Sequence, residues 1–153
     1  MHAQRGRPRD ERVERKIREA VVSLLTERGY GGTTIERVAK QTGLGRPTIY
    51  RRHASREAMI NHVVEALLDE SLAALSEHVD PYANVQNHLV NTVEMLTNTA
   101  IGPIYRAVIA EIPGDAELSQ IVSRVGQERR RRLRRAVRRA IEAGALSLGG
   151  SIQ

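Results

Sequence analysis

The 153-residue chain contains no cysteine, no tryptophan and no phenylalanine, and its four tyrosines bring the aromatic share to only 3%. Without thiols, disulfides and thiolate metal sites are excluded, and without larger aromatics there is little from which to build a stacking cage for a flat cation. No window approaches the roughly 18 consecutive apolar residues of a membrane span. The basic start, Met1 to Asp10, runs into charged helix-like sequence with no apolar core or small-residue cleavage site, so the expectation is a soluble, cytoplasmic chain. What is present, 41% hydrophobic and 27% charged residues, suffices for one globular domain or two small ones and excludes a large multidomain enzyme.

Lysine and arginine outnumber aspartate and glutamate by 24 to 18, a net charge of +6. The excess is not evenly spread. Residues 1–56 hold 14 bases against 6 acids, residues 57–123 a single base, Arg106, against 10 acids, and residues 124–153 nine arginines against 2 acids. A basic front and end around an acidic middle suit contact with a polyanion by one part of the chain and another task for the rest, although a basic block by itself is more often a solvated face.

Apolar residues Val13, Ile17, Ala20, Val21, Leu24 and Leu25 recur at helical spacing and stop at Gly29, with Arg28 in the last turn. Thr33-x-x-Glu36 reads as a capping box for a short helix with Ile35, Val38 and Ala39 inward, ending at Gly43. Pro47 is tolerated only in a first helical turn, so a third helix is expected to begin near Gly45 or Arg46. Ser55 caps a longer fourth helix running to about Glu77, and further helices are expected at 83–99, 103–111 and 115–143, separated by Gly102-Pro103 and Pro113-Gly114. Nothing alternates like a strand. The fold class is therefore all-α: an N-terminal three-helix part, residues 1–54, joined through a long fourth helix to a C-terminal helical bundle, residues 55–153.

Two short helices joined by a glycine-containing turn are the parts of a helix-turn-helix, whose second helix fits the major groove of B-DNA and presents its N-terminal side chains to base edges. Arg46, Pro47 and Thr48 occupy those positions. Gly29-Tyr30, Thr33-Thr34-Ile35, Val38-Ala39, Thr42-Gly43-Leu44, Thr48-Ile49-Tyr50 and Ser55-Arg56-Glu57-Ala58 together resemble the N-terminal domain of the TetR family of transcriptional regulators, over residues 12–62 with scarcely a gap. The resemblance implies a homodimer that binds a double-stranded DNA operator of two half-sites, usually as a repressor, and releases it when a small-molecule effector enters the C-terminal domain. Carried over by position, Arg46, Pro47, Thr48 and Arg51 face bases, with Arg46 matched to guanine O6 and N7. Thr34, Tyr50, Arg52 and Arg56 fall where members of the family meet phosphate. Arg37 lies beside a position that sometimes reaches a base. This sequence has Gly45 where the family usually has serine, and His53 where it usually has an aromatic. By helical pattern alone Tyr50 would be a core residue, and Arg46, Arg51 and Arg52 a solvated face. Gly6-Arg7-Pro8-Arg9 reads as a flexible cationic arm, with Arg7 and Arg9 either entering a minor groove or merely solubilising the terminus.

Residues 82–145 resemble the family's ligand-binding part more loosely, through Gly102-Pro103-x-x-Arg106-Ala107, Ala110-Glu111 and Asp115-x-Glu117-Leu118. A pocket there would be aliphatic, with Leu96, Ile104, Tyr105, Val108 and Ile121 as candidate lining, unless these are plain core. His62, His78 and His88 lack the spacing of metal ligands, and no metal or other cofactor is expected. No nucleophile elbow or paired acids point to catalysis, so no enzymatic activity is expected. Residues 129–139 hold eight arginines, and four in succession surround a helix rather than share a face. They form either a solvated surface offsetting the acidic middle or a site for polyanion or membrane-surface binding, the alternative function, and a third reading is an interaction module without operator specificity. The family resemblance implies two further helices for the dimer interface, whereas the sequence stops at Ser147-Leu148-Gly149-Gly150-Ser151-Ile152-Gln153, which leaves open a truncated sequence, a dimer through other surfaces and a weakly binding monomer.

Overall fold

The computed structural model describes residues 7–75, 80–97 and 101–147, with side chains from Glu11 onward. Among them are seven α-helices and no strand. The all-α expectation holds, and the differences lie at helix ends.

Helix α1 (Arg7–Gly32) is broken at Gly29, whose φ of 67° and ψ of −173° are not helical. Glycine takes this conformation without steric cost, so the chain turns where the apolar stripe stops. The helix begins at Arg7, which corrects the expectation of a non-helical arm at 6–9. Pro8 sits in the first turn, where no intrahelical amide bond is lost. The side chains of Arg7 and Arg9 lie outside the described residues.

Helices α2 (Ile35–Thr42) and α3 (Arg46–Tyr50) follow, then α4 (Arg56–Ala73), α5 (Pro81–Thr97), α6 (Ile101–Ile109) and α7 (Ala116–Glu142), with a 3-10 turn at Ile112–Gly114. Helix α4 ends before the expected Glu77, which itself lies outside the described residues. Both α5 and α6 start about two residues early because Pro81 and Gly102-Pro103 are accommodated in their first turns. Asp80 assists at α5, where its carboxylate accepts from the Tyr82 amide at 3.0 Å.

Contacts divide the chain into two compact units. The first comprises residues up to Val64 together with Pro103–Asp115. Its buried aliphatic residues include Ile17, Val21, Leu24 and Leu25 of α1, Ile35 and Val38 of α2, Ile49 of α3, Met59, Ile60, Val63 and Val64 of α4, and Ile104 and Val108 of α6. The second comprises Glu65–Gly102 and the residues from Ala116 onward. There α5 packs on α7, with Val85, Ala136 and Ala140 at the centre of a cluster flanked by Leu133, Val137 and Leu146.

Candidate nucleic-acid interface

The three short elements from Thr33 to His53 are built by local hydrogen bonding. Thr34, extended at φ −116°, is the N-cap of α2, and its side-chain oxygen accepts from the Arg37 amide at 3.3 Å. The capping box expected from Thr33 and Glu36 therefore does not form: the cap is Thr34, and the residue three beyond it is Arg37 rather than an acid. Thr33 is fully buried and its hydroxyl donates back to the Gly29 carbonyl at 3.0 Å. Helix α2 closes at Gly43, which is left-handed at φ 71° and returns its amide to the Ala39 carbonyl at 3.0 Å. Leu44 donates to the Thr42 hydroxyl at 3.2 Å and Gly45 serves as N-cap of α3. An extended glycine ahead of Arg46 and Pro47 therefore aims the first turn of α3 outward.

Ile49 anchors α3 with no exposed surface. Around it Arg46, Pro47, Tyr50 and Arg51 are exposed, Tyr50 by 50%, and Thr48 is half-buried. The helical pattern alone would have buried Tyr50, and the structure does not. The Arg46 guanidinium stands 3.5 Å from Glu36 of α2, both side chains being about three-fifths exposed. Arg51 donates to the Thr48 hydroxyl at 3.4 Å. The Glu36 carboxyl lies below the usual carboxylate range because it accepts from its own backbone amide, with Thr34 and Arg46 adding smaller effects. Arg37 reaches back to the Gly32 carbonyl at 2.7 Å and borders a surface recess of about 470 Å³ with Leu24, Glu27, Arg28, Lys40 and Gln41.

The other two arginines carried over as phosphate contacts are engaged within the protein. Arg52, about one-fifth exposed, lies 3.6 Å from Glu14 of α1. The same carboxylate is 3.2 Å from buried His53 and 3.5 Å from His62. Burial holds His53 below the ordinary histidine range against the opposing pull of Glu14. Arg56 lies over the Tyr30 ring at 4.7 Å, donates to the carbonyls of Tyr30 and Thr33, and pairs with Glu57 at 3.0 Å. The Tyr30 hydroxyl in turn donates to Asp115 at 3.3 Å, and its pKa is pushed up to about 12, chiefly by burial and next by the Asp115 charge. Apart from the neighbouring Arg56–Glu57 pair, spacing rules reveal none of these contacts, because Glu14, Tyr30 and Asp115 are far in sequence from the residues they meet.

Of the candidate pocket residues, Ile104 and Val108 are buried and Tyr105 half-buried in the first unit, while Ile121 is buried and Leu96 half-buried in the second. His78 lies outside the described residues, and among those described no group of side chains could hold a metal ion. No helix there is long and apolar enough to cross a membrane. The arginine run is neither wholly solvated nor wholly free. Arg129 is half-buried and donates to the Ser71 carbonyl and hydroxyl and to Thr92, while Arg132 reaches the Leu72 carbonyl at 2.9 Å. The Glu128 carboxylate, held down to about 2 by Arg131 and then Arg132, is shared between those two guanidinium groups. Arg130, Arg134, Arg135 and Arg138 are exposed.

Residues 17–63 match the family model described as bacterial regulatory proteins, tetR family, and residues 80–152 match that of the tetracyclin repressor-like C-terminal domain. The uncharacterized HTH-type transcriptional regulator YdeS of Bacillus subtilis is 27% identical over 153 residues, spanning 95% of this chain and 73% of that protein. YfiR of the same organism is 30% identical over 88 residues, or 56% of this chain and 43% of that one. Among solved structures, a TetR transcription regulator from Haloarcula marismortui superposes with a TM-score of 0.79 at 19% identity, over 88% of this chain and 73% of its own. A Saccharomonospora viridis protein described as a transcriptional regulator, solved in complex with choline, gives 0.74 at 16% identity, over 88% and 72%. At such identities these likenesses show the fold alone.

Proposed function

Since this chain belongs to the TetR family of DNA-binding, helix-turn-helix transcriptional regulators, we propose that it acts as a repressor. As a homodimer it occupies a palindromic operator and leaves it when a small molecule binds the C-terminal part. The observation that carries this reading is the exposure of Arg46, Pro47, Tyr50 and Arg51 around a fully buried Ile49 on a helix opened by glycine and proline. Base reading falls to Arg46, Pro47 and Thr48 in the first turn of α3 and to Arg51 just past its end. Phosphate contact falls to Thr34, Arg37 and Tyr50. Arg52 reaches a phosphate by leaving Glu14, and Arg56 chiefly supports the turn before α2. On this reading residues 1–54 recognise DNA and residues 55–153 take the effector and the second subunit.

Support for pairing with a second copy comes from α5, where Leu89, Val90 and Val93 are 53%, 53% and 59% exposed. In the same unit, Leu133, Val137 and Ile141 line an apolar surface groove of about 820 Å³ on α7, bordered by Arg134, Arg138 and Glu142. The effector is expected to be largely apolar, because the candidate lining Leu96, Ile104, Val108 and Ile121 is aliphatic and Tyr105 is its single aromatic.

The test is titration of the full chain against a palindrome selected from genomic fragments and against a scrambled duplex, across a salt series. Operator preference together with a negative salt slope supports the reading. Equal affinity for both duplexes sinks it. Replacing Arg130, Arg134, Arg135 and Arg138 with glutamine separates the polyanion-binding alternative, which alone expects that change to abolish binding.

A further inference from the structure

Asp115 is the last residue of the first compact unit and directly precedes α7. Its half-buried carboxylate accepts from the Tyr30 hydroxyl at 3.3 Å and from the Asn61 side-chain amide at 3.2 and 3.4 Å. Tyr30 and Asn61 are buried, 8% and 1% exposed, and stand 85 and 54 residues from Asp115 in sequence. The remaining buried residues of the 103–115 segment, Ile104 and Val108, are apolar. Apolar contact is non-directional and tolerates sliding, whereas a carboxylate taking hydrogen bonds from two separate helices fixes one arrangement.

Tyr30 also connects onward. Its ring lies under the Arg56 guanidinium, which donates to the Tyr30 and Thr33 carbonyls. The next residue, Thr34, is the N-cap of α2. A chain of named contacts thus runs from Asp115 through Tyr30 and Arg56 to the start of the helix-turn-helix.

We propose that Asp115 is a positioning residue for operator recognition: by clasping Tyr30 and Asn61 it holds α1, α4 and the turn ahead of α2 in the arrangement that presents α3 to base edges. It touches no DNA and acts through Tyr30 and Arg56. The inference rests on the operator-binding function proposed above.

Contiguity alone does not establish coupling, so the test is a double-mutant cycle. Asp115→Asn, Asp115→Ala, Tyr30→Phe and Asp115→Asn/Tyr30→Phe are titrated against the selected palindrome and its scrambled counterpart, at temperatures well below every variant's melting point. Asp115→Asn is expected to weaken operator binding about tenfold, the scale of one charge-assisted hydrogen bond, with scrambled-DNA affinity and salt slope unchanged. Asp115→Ala loses at least as much, Tyr30→Phe loses less, and the double variant loses no more than Asp115→Asn alone. A merely structural role would lower both affinities together, in step with melting temperature, and that result overturns the proposal. So does an Asp115→Ala variant that keeps the wild-type operator preference. If the wild type itself prefers neither duplex, the operator-binding function fails and this inference with it; if the wild type discriminates and Asp115→Ala does so equally, only this inference fails.

Discussion

Arg46 opens α3 with 62% of its side chain exposed, and its partner Glu36 is as open at 61%. An exposed pair of this kind is worth at most about 1 kcal/mol, so the guanidinium is readily available to a base edge. Arg46→Ala is expected to cost about 1–3 kcal/mol and to relax preference at one base pair per half-site, read out by anisotropy titration against single-substitution operators. An equal loss on every duplex would make Arg46 a phosphate contact. His53 is the counterpart inside the fold. Burial lowers its pKa against the smaller opposing pull of Glu14, so the unfolded chain binds more protons than the folded one near its titration. The stability this contributes is present above the unfolded value, about 6.5, and is lost as pH falls through the lower folded value. Melting temperature should therefore drop between pH 7.5 and pH 5, and His53→Phe should flatten that drop. A profile as steep in the variant as in the wild type would assign the drop to other groups.

Helix-level features followed the sequence where local chemistry alone decides them. Gly29, Gly43, Gly45 and Pro47 each act at the turn or cap that their backbone preferences dictate, and α2 and α3 lie where those residues put them. The reading failed where a residue type serves two purposes. Pro8, Pro81 and the Gly102-Pro103 pair look like breakers, yet each stands in a first helical turn. A different limit concerns Arg52 and Arg56, offered to phosphate by family position: within the protein Glu14, Tyr30 and Thr33 engage them, which the sequence did not announce. No period of 3.6 residues reports a partner 38 or 23 positions away. Gly102 shows the same limit: it is buried, and a Cβ there would overlap the Leu96 carbonyl. Gly102→Ala is expected to destabilise the chain by about 1–3 kcal/mol, the usual cost of overpacking, measurable as a lower urea midpoint with unchanged slope. A midpoint equal to the wild type would mean that the α6 start shifts without cost.

Across the molecule the uneven charge acquires a structural meaning that net charge conceals. Part of the C-terminal arginine block neutralises or hydrogen-bonds its own unit, as Arg124 does with Glu65 and Asp69 at 3.0 Å each and Arg129 with Ser71. The helix-turn-helix block instead leaves Arg46 and Arg51 outward. Apolar exposure is similarly localised, with Leu89, Val90 and Val93 gathered on α5. If these residues pair two copies, Leu89→Glu/Val93→Glu should halve the mass measured by light scattering and weaken operator binding steeply, because two half-sites would no longer be held together. An unchanged mass would move the dimer contact elsewhere.

Tyr50 has a practical consequence. In a chain without tryptophan, ultraviolet emission comes from four tyrosines. Tyr50 stands half exposed on α3, whereas the buried Tyr30 phenol is already bonded to a carboxylate. The surface proposed to meet DNA thus carries its own optical probe. Quenching of tyrosine light on mixing with duplex, absent in a Tyr50→Leu variant, would time the encounter without a dye, and the absence of native thiols leaves any single engineered cysteine free to carry a second, spectrally distinct label.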